Sequence, residues 1–370
     1  MRRWMSLPLL LAVIGIALVS RGQLQADWPL YRGDVQAQGV ASEALPENLK
    51  LKWEFKVENG AFEGTAAIVE DTAYIGDLDG SVFALNLADG EKKWEFETDS
   101  GFYGSPAVRG GKVYIGDMDG MLYCLDAKTG KQLWQFETKA EINSSVNFYK
   151  DQILIGSQDS FLYCLKEADG SLVWKFEIQD QIRCMPTVVS NRGFLAGCDG
   201  KLHVVDLDEG KAIGTVEIDG PTGSTPAVEG KFVYFGTEGG FFYAIDWNSL
   251  ETAWTYIDER GRQPIRSSAA VTQDRAVFGG RNRKVVAIDR EKGEPIWTFT
   301  ARGRVDSSPV IAGNRVYFGA SNGQIHALGL EKGDQLWQFE ATGGFVGGPA
   351  IAQGKMIIAS DDGVVYCFGE

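Results

Sequence analysis

The stretch Cys124-Leu-Asp-Ala-Lys-Thr-Gly-Lys-Gln-Leu-Trp134 has a close copy forty residues earlier, Ala84-Leu-Asn-Leu-Ala-Asp-Gly-Glu-Lys-Lys-Trp94, and another forty residues later, Cys164-Leu-Lys-Glu-Ala-Asp-Gly-Ser-Leu-Val-Trp174. Further copies end at Trp254, Trp297 and Trp337, and a decayed copy ends at Gly214. A period of about 40 residues, with turn signals every 8 to 12 or so, is the pattern of a propeller blade made of four short strands.

Turn chemistry places the strands within one unit. In the second, Ser-Pro-Ala-Val at 105–108 runs into Gly110–Gly111, Lys-Val-Tyr-Ile at 112–115 returns, Asp119–Gly120 turns again, and 121–125 forms a third strand. Thr129–Gly130 then leads to a fourth strand that carries Trp134. Asp-Gly and Gly-Gly pairs supply the positive φ angles of tight hairpins, so the strands form an antiparallel meander. The second turn recurs at Asp79–Gly80, Asp119–Gly120, Asp159–Ser160, Asp199–Gly200, Gly239–Gly240, Asn282–Arg283, Asn322–Gly323 and Asp362–Gly363. These copies predict an all-β, eight-bladed propeller spanning 50–370. The chain ends after a third strand, while an unattached fourth-strand sequence with Trp53 stands at 50–57. An N-terminal strand is therefore expected to complete the last blade and close the ring, which removes an exposed sheet edge.

Ahead of the repeats, Arg2 and Arg3 precede an apolar run from Leu9 to Val19. That run falls short of the roughly 18 residues a membrane span needs, so residues 1–26 read as a secretory signal peptide cleaved after Ala26, with 27–49 as a lead-in segment. No cysteine precedes Cys124, so no lipid-anchored cysteine is expected near the cleavage site. The expected location is the periplasm or the exterior, and the expected state a monomer with no membrane span. A net charge of −14 argues against nucleic acid as a partner, because phosphate backbones call for a basic surface.

The tryptophan motif, in the form Ala-x-Asp-x-x-Thr-Gly-x-x-x-Trp, resembles the docking motif of the PQQ-like (quinoprotein) repeat family over nearly the whole chain after the leader. Asp27-Trp-Pro-Leu-Tyr-Arg-Gly-Asp34 also resembles the start of secreted members. The resemblance implies one of two roles: quinone (PQQ)-dependent oxidoreductase, or the non-enzymatic BamB-type scaffold of protein assembly in the cell envelope. The dehydrogenases are similar in repeat but longer, with a vicinal Cys-Cys pair over the cofactor and metal-binding insertions. This sequence has no Cys-Cys, and its units keep to a spacing of 40 to 43 residues. The expectation is an exported, non-catalytic scaffold that binds a protein partner, with no cofactor. A quinone-dependent oxidoreductase and a small-molecule or glycan binder using the channel mouth are the alternatives.

Histidine, on which most general-base, nucleophilic and zinc mechanisms depend, occurs only at 203 and 326, in the repeat slot of Phe83, Tyr123, Tyr163, Tyr243 and Tyr366. Both read as structural, and no catalytic residue or metal ligand is expected. The Asp-x-Asp-Gly runs at 77–80 and 117–120 read as hairpin turns, because the closing Glu of a calcium loop is replaced by Ala88 and Lys128. Five cysteines leave at least one thiol unpaired, and a hairpin centred near Asn191 makes Cys184 and Cys198 candidates for a cross-strand disulfide.

Two surfaces remain. The residue before each first strand should face the channel, giving the ring Glu63, Tyr103, Asn143, Arg183, Gly223, Arg266, Asp306 and Val346. Its neighbours Phe62, Phe102, Ile142, Ile182, Thr222, Ile265, Val305 and Phe345 should pack between blades. The polar ring members are the channel-mouth ligand candidates. The stretch Asp258–Arg304 holds eleven basic and six acidic residues. Its Arg260, Arg262, Arg266, Arg281, Arg283, Lys284, Arg302 and Arg304 should share one face, a candidate docking surface for an anionic partner.

Overall fold

The computed structural model describes residues 27–370, so the leader expected at 1–26 lies outside the described residues. Eight antiparallel sheets stand around one axis, and no helix occurs among the described residues. Blades one to eight begin with the innermost strands Ala67–Val69, Ala107–Arg109, Asn147–Tyr149, Thr187–Val189, Ala227–Glu229, Ala270–Val271, Val310–Ala312 and Ala350–Ala352. Each blade steps outward through three further strands. In the eighth, the outermost is Lys50–Lys56, paired with Val364–Gly369, so the ring closes as the sequence predicts. The second residue of every second turn has positive φ, from 67° at Arg283 to 106° at Gly80. Ser160 and Arg283 thus take a conformation that glycine takes elsewhere.

Innermost strands start later than the sequence suggests, at Ala107 instead of Ser105 in blade two. The residues just before them bond sideways. The Thr65 N–H donates to Ser105 Oγ at 2.8 Å and the Ser105 N–H to Ser145 Oγ at 2.9 Å. Met185 to Thr225, Thr225 to Ser268, Ser268 to Ser308 and Gly348 to Thr65 repeat the contact at 2.9–3.0 Å. A hydroxyl at one repeat slot therefore stitches neighbouring blades in a circle, broken only after blades three and seven, where Met185 and Gly348 follow.

Farther out, each tryptophan joins one blade to the next. The Trp94 Nε1–H donates to Ala127 O at 2.9 Å, and its ring lies on Gly130, where a Cβ would stand 2.7 Å from the indole. Trp53, Trp174, Trp254, Trp297 and Trp337 donate to Leu87, Leu207, Arg290, Leu330 and Leu49 in the same way. Trp134 sits on Gly170, but its N–H has no partner.

The decayed copy is compensated across the interface. Gly214 replaces the tryptophan, and the facing turn position holds Leu250 at φ 58° in place of glycine. A Cβ on Gly214 would overlap Leu250 Cδ1, so the leucine fills the space an indole takes elsewhere. Gly214→Trp and Leu250→Gly should each destabilise by about 1–3 kcal/mol, and the double variant should recover much of the loss. Urea unfolding of the four proteins checks this, and additive effects would contradict the exchange.

Candidate functional site

In each blade an N–H of the second turn donates to a carbonyl of the loop leading into the first strand, as in Met118 to Gly101 and Arg281 to Pro264, at 2.9–3.1 Å throughout. Both sets of loops therefore occupy one face, and the central channel opens there. All eight expected ring residues line its mouth, with Glu238 and Arg281 reaching in from second turns. Their expected neighbours, Phe62, Phe102, Ile142, Ile182, Thr222, Ile265, Val305 and Phe345, are all buried between blades.

The channel is not open below. Residues 28–39 cross it, and their carbonyls accept the inner-edge N–H groups of six innermost strands. Ile68 donates to Trp28, Val108 to Pro29, Val188 to Val35, Val228 to Gln36, Val271 to Gln38 and Ile311 to Gly39, at 2.7–2.9 Å. Blade three joins through Asn147 Nδ2, which donates to Val35 O at 2.8 Å. Val40–Ala41 then pairs parallel with the innermost strand of blade seven. Arg32, 1% exposed, lies at the centre and donates to Ser308 O, Ala269 O and Pro309 O. Burial pulls its guanidinium below the usual range, opposed by Tyr31 and Asp34. Gly39 lets it pass: φ there is 65°, and a Cβ would overlap the guanidinium.

The result is a blind cup of about 420 Å³, within the range of small-ligand sites. Tyr31 forms its floor, with its hydroxyl 2.8 Å from Ser308 Oγ and 3.2 Å from Ser268 Oγ. Ser105, Ser145, Thr225 and Met185 surround it. The sequence reading missed this floor, since 27–49 read only as a lead-in; the available signal was a polar, aperiodic stretch ahead of a strictly periodic one.

The rim divides into two arcs. On one, Arg266 is closed on Glu238 through Nε–Oε1 at 2.7 Å, and Arg281 on Asp306 by two parallel bonds at 3.0 Å. On the other, Glu63, Tyr103 and Asn143 have no hydrogen-bonding side-chain partner among the described residues, and Arg183 is held only by the neutral Gln181. The Asn143 Oδ1 is buried without a donor. Burial raises the Glu63 carboxyl above its ordinary range, Asp361 and Asp306 add to this, and Arg266 opposes it.

The basic residues of 260–304 do lie on the cup face, but four of the eight face carboxylates there. Besides Arg266 and Arg281, Lys284 meets Asp258 at 2.5 Å and Arg262 approaches Asp219 at 3.9 Å. Counting charges along one stretch missed Asp219 and Glu238, which come from blade five. Arg260, Arg283, Arg302 and Arg304 are exposed, with no carboxylate within 4.0 Å among the described residues.

Cys184 and Cys198 are free thiols, which corrects the disulfide expectation. Thr187 pairs with Phe194 and Val189 with Arg192, so the hairpin is centred between Ser190 and Asn191. Cys184 lies ahead of the strand, which begins at Thr187, so the hairpin does not set it opposite Cys198; its Sγ lies 3.5 Å from Ala196 O, and the Cys198 Sγ 3.8 Å from Thr222 O. Both histidines occupy the aromatic slot: His203 Nε2 lies 2.9 Å from Asp199 Oδ2, much as Tyr163 bonds Asp159, and His326 stacks on Phe318. Asp77 and Asp117 each accept two backbone N–H groups of their own turns.

A family model described as outer membrane protein assembly factor BamB matches residues 46–181 and 158–368. The chain belongs to this BamB-type family of PQQ-like repeats. Among solved structures, BamB from Moraxella catarrhalis superposes with a TM-score of 0.74 at 19% identity, covering 87% of this chain and 100% of that one. Quinohemoprotein alcohol dehydrogenase from Comamonas testosteroni gives 0.80 at 14% identity, covering 95% and 81%. The computationally designed Ika8 protein gives 0.75 at 15%, covering 87% and 100%. At these identities the likenesses establish the architecture. No curated protein matches the sequence. Among the described residues no helix is long and apolar enough to cross a membrane.

Within this BamB-type propeller, Arg32 is the anchor of the cup floor. Arg32→Met keeps the length but leaves three buried carbonyls without their donor, and should cost about 2–4 kcal/mol of unfolding free energy. Denaturant titration checks this, and a loss below about 0.5 kcal/mol would contradict the anchoring role.

Proposed function

We propose that the protein is an exported, non-catalytic scaffold of the cell envelope that recruits a protein partner through the loop face around the cup. One observation carries this reading. In a chain of net charge −14, Arg260, Arg283, Arg302 and Arg304 project from adjoining loops of blades six and seven without carboxylate partners among the described residues. Exposed cations in an acidic protein steer an anionic surface toward one sector of the ring. The family membership and the BamB-like architecture agree with a scaffold.

The lining suits PQQ poorly. A flat quinone bearing three carboxylates and taken with calcium calls for stacking faces, free cations and a ligand cluster. Here Arg266 and Arg281 are already closed on carboxylates, which leaves Arg183 as the one cation of the cup lining without a carboxylate partner among the described residues, and the five cysteines are scattered through the blades. The described residues contain no group of three or more His, Cys, Asp or Glu that could hold a metal ion.

Replacing Arg260, Arg283, Arg302 and Arg304 together by Glu should abolish recovery of the partner from an envelope extract at low salt. Stability should shift little, since exposed charges contribute less than about 1 kcal/mol each. Binding of the unaltered protein should weaken as salt rises, because screening acts over about 8 Å at physiological ionic strength. Undiminished recovery by the charge-reversed protein would overturn the docking surface. Alcohol-dependent dye reduction after loading with PQQ and calcium would overturn the non-catalytic reading.

A further inference from the structure

The unpartnered arc of the rim carries opposite charges at its two ends. Glu63 stands on blade one and Arg183 on blade four, with Tyr103 and Asn143 on the blades between. The other arc satisfies itself through Arg266–Glu238 and Arg281–Asp306. Nothing in the fold needs the first arc to be polar. The same slot holds Gly223 and Val346 in blades five and eight, so its side chains are free of any packing duty.

We infer that the Glu63–Arg183 arc of the cup binds a short peptide with free ends, its α-ammonium on Glu63 and its α-carboxylate on Arg183. A single amino acid carries both charges on one carbon, whereas Glu63 and Arg183 stand three blades apart on the lining. An extended chain advances about 3.3–3.6 Å per residue, so a peptide of a few residues holds its two terminal charges apart, as groups on separate blades require. Arg183 presents the planar fork that takes a carboxylate bidentately. Asn143, half-buried on the cup lining with no side-chain hydrogen-bond partner among the described residues, can offer its amide N–H groups to a peptide carbonyl, and the Tyr103 hydroxyl can do the same. On the floor, Ser105, Ser145 and Thr225 accept backbone N–H groups from neighbouring blades, which leaves each hydroxyl proton free to donate into the cup.

This site is separate from the basic sector proposed for the protein partner, and the two are tested apart. Isothermal titration of the purified chain with the tripeptides Ala-X-Ala, where X is Ala, Ser, Asn or Tyr, should give saturable one-to-one binding for at least one member. N-acetylation or C-terminal amidation of that member should each weaken binding by about tenfold or more, as expected when a charge-assisted hydrogen bond is lost. In Glu63→Gln the acetylation penalty should largely disappear while the amidation penalty remains, and in Arg183→Gln the reverse. No saturable binding by any member overturns the proposal. So does equal binding of free and blocked ends, a comparison made on the unaltered chain that needs no variant to fold. Binding of neutral saccharides in the cup, indifferent to Glu63 and Arg183, would also overturn it. Loss of partner recovery in the four-arginine variant leaves this outcome untouched.

Discussion

Eight sheets arranged around an axis leave eight innermost strands, each with one edge facing the channel. Every such edge presents a backbone N–H that water or protein must satisfy. Here one segment does most of this. The carbonyls of residues 28–39 take the edge N–H groups of six blades in turn, and Asn147 ties in a seventh. This is a backbone interaction, so it depends little on side-chain identity, except at Arg32, whose guanidinium caps the carbonyls of blades six and seven. The site depends on that closure. Without it the channel would be a pore; with it the loop face holds a cup with Tyr31 for a floor.

Two further devices act at larger radii. The hydroxyl circle at Thr65, Ser105, Ser145, Thr225, Ser268 and Ser308 holds blades together near the axis, and the tryptophans bridge them near the rim. Both rest on repeat identity, and both tolerate a local loss. Met185 and Gly348 break the hydroxyl circle, while Gly214 with Leu250 inverts one tryptophan contact. At the channel-facing slot, by contrast, no identity is imposed. Glu63, Tyr103, Asn143, Arg183 and Arg266 differ because packing does not constrain them, so chemistry can be placed there.

What the sequence made legible follows the same division. Repeated features were readable because eight copies average out local noise: the blade count, the turns with positive φ, the closing strand with Trp53, the inter-blade apolar series and the ring around the mouth. Features made by single contacts were not. The channel floor is built from main-chain carbonyls, which leave no residue signature. The basic face looked uniform because Asp219, Glu238 and Asp306 approach from other loops, and only the fold brings them to Arg262, Arg266 and Arg281. Cys184 and Cys198 failed as a pair because the strand begins only at Thr187, so hairpin centring from sequence does not extend to Cys184.

The closure can be measured directly by residue-resolved amide hydrogen exchange at Ile68, Val108, Val188, Val228, Val271 and Ile311. Segment 28–39 as acceptor predicts that all six exchange as slowly as amides inside the blades, and that they open together as one cooperative unit. Fast exchange at these positions, at the rate of strand edges facing water, would contradict it and return the channel to an open pore.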